Sequence, residues 1–81
     1  MNDDEFKYPL PGISTYFSSD PKFFEFFIIE TLPDRGEMII EGRLLMDVPR
    51  VGKNLNLFGR RWKTIESITG HTRRVRIKLI K

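Results

Sequence analysis

Gly36-Glu-Met-Ile-Ile-Glu-Gly42-Arg-Leu-Leu-Met-Asp-Val-Pro-Arg-Val-Gly52-Lys-Asn-Leu-Asn-Leu-Phe-Gly59 is the stretch whose cadence decides the fold. Met38, Ile40, Leu44 and Met46 share one parity, and Glu41 and Arg43 share the other. That period of two predicts a strand from Glu37 to Met46 with one dry face and one wet face. Gly42 falls inside it on the apolar parity, where a glycine marks a bend or a close backbone approach. Pro49-Arg50-Val51-Gly52 is a turn. Asn54-Leu55-Asn56-Leu57-Phe58 then alternates again, with Leu55 and Leu57 inward, until Gly59 ends it.

Upstream, Lys22 to Thr31 is a strand rich in Phe and Ile, with Glu25 and Glu30 as its polar exceptions. Both its faces are apolar, so one meets the core and the other is expected to be covered by the N-terminal arm. Pro33-Asp34-Arg35-Gly36 is the turn that follows. Residues 1–22 read as a partly flexible arm. It holds an acidic tail, Asp3-Asp4-Glu5, a short edge strand from Ile13 to Phe17, and a turn at Ser18-Ser19-Asp20-Pro21. Its rings, Phe6, Tyr8, Tyr16 and Phe17, are expected to lie against the body of the domain.

Downstream, Arg60 to Ile68 is a strand whose apolar parity shifts between Trp62 and Ile65, which predicts a bulge or a strong twist there. Thr69-Gly70-His71-Thr72 joins it to a last strand, Arg73 to Lys81. There Val75, Ile77 and Leu79 face inward and Arg74, Arg76 and Lys78 outward. No stretch carries a helical period. The expected fold is all-β: a small, closed or nearly closed Greek-key-like β-barrel of about six strands over residues 23–81. An oligonucleotide-binding or SH3-like barrel is the alternative architecture.

The chain has 81 residues, which is one domain with a small core. It has no cysteine and one histidine, so disulfides, thiolate metal sites and His-rich metal sites are excluded. The acidic start does not read as a signal peptide, and Phe26-Phe27-Ile28-Ile29 is too short an apolar run to span a bilayer. A cytoplasmic protein with no membrane partner is expected.

The sequence resembles the β-barrel domain two of translational GTPases such as elongation factor Tu. The resemblance rests on Arg35-Gly36, Met38-Ile39-Ile40, Gly42-Arg43, Val51-Gly52 and Leu55-Asn56-Leu57-Phe58-Gly59, and covers roughly residues 23–69. It implies a translation-factor-like barrel. The family's turn glycine is replaced by Asp47, and its acidic pair near the aminoacyl pocket is met only by Glu30 followed by Thr31. Gly52-Lys53 is not a P-loop, because that cradle needs Gly at 47 and Ser or Thr at 54, where Asp47 and Asn54 stand.

No catalytic constellation emerges, so neither an enzyme nor a cofactor is expected. His71 reads as a turn residue and the scattered carboxylates as solvated strand faces. Charge is the informative feature. Residues 1–41 carry 3 Lys/Arg and 9 Asp/Glu, for −6; residues 42–81 carry 11 and 2, for +9; the sum is the net +3. Arg60, Arg61, Trp62, Lys63, Arg73, Arg74, Arg76 and Lys78 are the candidate nucleic-acid-binding residues, with Trp62 as a stacking group. Arg61 and Lys63 share one face of their strand; Arg74, Arg76 and Lys78 share one face of theirs. The expected function is a non-catalytic module binding RNA or a ribonucleoprotein. The alternative is a protein-interaction or scaffold module meeting an acidic protein surface or a second copy of itself.

Overall fold

Alternating apolar residues, cut by glycine and proline, build an all-β structure. The structure, a computed structural model, describes residues 6–12, 15–17 and 24–80, and of residues 15 and 17 only the backbone. The expected acidic tail, the turn at 18–21, and Ile13, Lys22 and Phe23 lie outside them. The strands are β1 (Thr15–Phe17), β2 (Glu25–Leu32), β3 (Glu37–Gly42), β4 (Asn54–Leu57), β5 (Arg60–Ser67) and β6 (Arg74–Leu79). They form one antiparallel sheet in the order β1-β2-β3-β6-β5-β4. In β3-β6-β5-β4 three hairpin-linked strands lie beside a fourth reached by a long connection, which is a Greek key.

The sheet is an open half-barrel rather than the closed barrel expected. β1, with three residues, and β4 are its edges, and no ladder joins them among the described residues. The inner face carries Phe24, Phe26, Ile28, Met38, Ile40, Leu55, Leu57, Trp62, Val75 and Ile77. An open sheet leaves such a face exposed unless something fills its mouth, and here the arm does. Phe6 and Tyr8 meet the Trp62 ring edge-on at centroid distances of 5.7 and 6.1 Å. Tyr16 stacks on Phe26 at 5.8 Å. These arm rings therefore seal the core rather than cover the outer face of β2. Burial, and then the Glu37 charge, raise the Tyr8 phenol above its ordinary pKa and keep it neutral.

Phe58, expected within a strand, is a turn residue. β4 and β5 pair Leu57 with Arg60, leaving a two-residue loop in which Phe58 has φ 56° and Gly59 φ 73°. Positive φ at both positions is the type I′ hairpin turn, where Asn-Gly is favoured. A left-handed phenylalanine costs about 1–2 kcal/mol. Ring contacts offset that: Phe58 lies 5.1 Å from Tyr16, 6.1 Å from Phe26 and 6.5 Å from Phe6.

Two bulges shape the sheet. Pairing skips Ile29 between Ile28 and Glu30, and skips Ile65 between Thr64 and Glu66. Before each, even-numbered residues face the core: Phe24, Phe26 and Ile28 in one case, Trp62 and Thr64 in the other. Unbroken parity would carry Glu30 and Glu66 inward, at a steep desolvation cost. Each bulge turns its glutamate out. The bulge in β5 lies where the parity shift predicts it.

β3 stops at Gly42, four residues short of the expected Met46. A Cβ on Gly42 would lie 2.9 Å from Val48 Cγ2 and 3.2 Å from the Leu44 carbonyl oxygen. The chain folds back over Gly42 through a 3-10 turn, Leu45–Asp47, that seats Val48 against the core. Leu44 and Met46 are therefore exposed, not inward. Among the described residues no helix is long and apolar enough to cross a membrane.

Gly42→Ala should destabilise the protein by about 1–3 kcal/mol through overpacking, with Val48→Ala restoring part of the loss in denaturant titrations. Thr64 is fully buried and its Oγ1 has no hydrogen-bond partner. Thr64→Val keeps the shape and removes that unpaired hydroxyl, so thermal unfolding should show a gain of about 1 kcal/mol.

Candidate nucleic-acid interface

The outward parity of β5 and β6 places Arg61, Lys63, Arg74, Arg76 and Lys78 on the same outer face. Register alone aligns them: Lys63 opposes Lys78, and Glu66 opposes Arg76. The sheet order also brings β3 against β6, so Glu41 opposes Arg74 and Glu37 opposes Lys78. The acidic first half and the basic second half of the chain thus meet side by side.

This juxtaposition divides the cations into two groups. Arg74 Nε donates to Glu41 Oε1 at 2.7 Å. Arg76 Nε donates to Glu66 Oε1 at 3.0 Å and its Nη1 to Glu37 Oε1 at 3.3 Å. Burial alone would lower the Arg76 pKa, but hydrogen bonds and charge from Glu66 and Glu37 outweigh it and raise it. Glu37 is 9% exposed, so Arg76 neutralises a carboxylate that has little access to water. The bulge at Ile65 is what presents Glu66 to Arg76. These two arginines are structural partners.

Arg61, Lys63 and Lys78 form the second group. All three are exposed, and none makes an ion pair among the described residues. Lys63 and Lys78 start about 5 Å apart as directly opposed side chains, a mildly destabilising arrangement unless an anion relieves it. β4 adds Asn54 opposite Lys63 and Asn56 opposite Arg61. The two asparagines were not singled out from the sequence, although the Asn-Leu-Asn-Leu alternation already set them opposite the core.

The other candidates lie elsewhere. Trp62 is 0% exposed and donates through Nε1 to the Leu57 carbonyl at 3.0 Å, so it offers no face to a base. Its expected stacking role does not fit, because its parity is that of the core. Arg60 is half-buried at the mouth, 5.9 Å from the Phe6 ring centroid. Arg73 sits in the β5–β6 connection, 3.8 Å from Glu41 with its side chain 48% exposed. That connection is two successive turns, with His71 N donating to Ile68 O and Arg74 N to His71 O, and His71 is exposed in it.

Compared with known proteins, the chain matches no family model, no curated protein and no solved structure. The site is accordingly defined by its own geometry: a cationic outer face of Arg61, Lys63 and Lys78 beside two amides, next to an arginine pair already neutralised.

The two groups should separate on mutation. Arg76→Met should cost about 1–3 kcal/mol in chemical denaturation, because it strands buried Glu37. Adding Glu37→Gln should return most of that loss. Lys63→Gln and Lys78→Gln should stay within about 0.5 kcal/mol of wild type.

Proposed function

We propose that the chain is a non-catalytic module that binds RNA or a ribonucleoprotein through the outer face of β4, β5 and β6. The observation that carries this reading is the lateral alignment of Arg61, Lys63 and Lys78, none of which makes an ion pair among the described residues. Three cations on a convex sheet suit contacts to phosphates. The only ring in these strands, Trp62, is buried, so recognition follows the backbone charge and not base stacking. The resemblance to a translation-factor domain two fits a ribonucleoprotein setting in the cytoplasm. The β3–β6 Greek key is the part of the fold that supports it.

Fluorescence anisotropy with single-stranded and structured RNA at several salt concentrations tests this. Three phosphate contacts give a log–log salt slope of about −2 to −3. Lys63→Glu with Lys78→Glu should weaken binding by roughly tenfold or more, without the stability loss expected of Arg76→Met. Absence of binding at low salt, or binding indifferent to salt, rules the reading out and leaves a protein-interaction module.

A further inference from the structure

Among the described residues, four of the seven large apolar side chains that stand exposed crowd into one connection: Leu44 at 52%, Leu45 at 65%, Met46 at 85% and Val51 at 57%. This connection, residues 43–53, links β3 to β4. It is held at both feet. Asp47 N donates to Leu44 O at 3.0 Å and Val48 N to Leu45 O at 3.2 Å, above the Gly42–Val48 contact. At the far foot Gly52 N donates to Thr64 O at 2.8 Å and Lys53 N to Arg50 O at 3.0 Å. The fold therefore presents an ordered apolar knuckle to solvent, which burial inside this chain does not explain.

The feet of the knuckle are cationic. Arg50 and Lys53 are exposed, and Gly42 N bonds the Arg73 carbonyl, bringing that arginine to its base. Arg43, bonded to Glu25 at 2.9 Å, keeps 63% of its side chain exposed. Asp47 is the one carboxylate in residues 43–53.

We propose that this knuckle docks on an anionic lipid bilayer. Leu44, Leu45 and Met46 enter the acyl boundary, while Arg50, Lys53 and Arg73 meet the headgroup phosphates. The order of chemistry fits a bilayer surface, apolar at the tip and cationic behind it. Peripheral binding needs both signals, apolar insertion and electrostatic attraction, and both are here. Geometry favours lipid over a folded partner. Successive side chains on a 3-10 turn point about 120° apart, so a flat protein face would bury only part of the tip, whereas acyl chains surround it. The expectation of no membrane partner rested on the lack of a spanning segment, and surface docking requires none. The knuckle is distinct from Arg61, Lys63 and Lys78, so this inference is independent of the nucleic-acid reading.

Flotation of the full chain with vesicles of phosphatidylcholine, alone or mixed with phosphatidylserine, tests it. The wild type should float with the mixed vesicles only. Leu45→Ser with Met46→Ser should lower the bound fraction roughly tenfold or more, with unchanged melting because the side chains are exposed. Arg50→Gln with Lys53→Gln should weaken binding most at low salt. In Met46→Trp, brominated acyl chains should quench the new fluorescence, while the single native tryptophan, buried Trp62, stays unquenched in the wild type. A wild type that fails to float, or a Leu45→Ser/Met46→Ser variant that floats equally well, overturns the proposal. So does self-association in sedimentation velocity that this variant abolishes without any lipid binding, which would assign the knuckle to a second copy.

Discussion

A dry, hydrogen-bonded Trp62 indole organises the concave face of the sheet. A six-stranded open sheet has one concave apolar face and nothing of its own to cover it. Trp62 lies on that face in β5, beside the β4 edge, fully buried, with its indole N–H bonded to the Leu57 carbonyl at 3.0 Å. Phe6 and Tyr8 complete its surroundings from the arm, and Phe58 joins them from a hairpin turn it enters only by adopting a left-handed backbone. Aromatic rings bury a large area per residue. Among the described residues the open half-barrel is therefore covered without an α-helix or a second sheet.

The same sheet order organises the charge. In the sequence the acids and bases are segregated, and in the fold β3 carries its glutamates to the side of β6. Glu41 and Glu37 neutralise Arg74 and Arg76, and Glu66 joins through the bulge in β5. The residual positive field comes from cations that hold no ion pair among the described residues, including Lys78, whose cross-strand neighbour Glu37 is taken by Arg76. Arg61, Lys63 and Lys78 remain on the outer face, and Arg50 and Lys53 remain at the foot of the β3–β4 connection. A basic stretch of sequence is thus sorted into structural and available charge by which neighbour each strand receives.

Much of this was legible in the residues. Alternation placed Val75 and Ile77 in the core and Arg74, Arg76 and Lys78 outside, and the parity shift after Trp62 located a bulge. Glu30 held the same information in β2, as a carboxylate arriving on the parity of Phe24, Phe26 and Ile28, yet the two-faced apolar run around it hid the break. Leu44 and Met46 misled because they continue the period of Met38 and Ile40. The strand ends before them, where the chain turns back over Gly42 and packs Val48 against it. Phe58 misled likewise, since a bulky ring is a poor local signal for a type I′ turn.

Local sterics and a period of two were enough to locate the turns at Gly36, Gly52 and Gly70 and the inward parity of Met38, Ile40, Leu55, Leu57, Val75 and Ile77. Tertiary structure alone decided which cations are neutralised, that Trp62 is core and not a platform for a base, and that the barrel stays open. Those outcomes depend on which strands become neighbours. Pairing β3 with β6 sets residues on positions 37–41 beside residues on positions 74–78, a proximity that no local window contains.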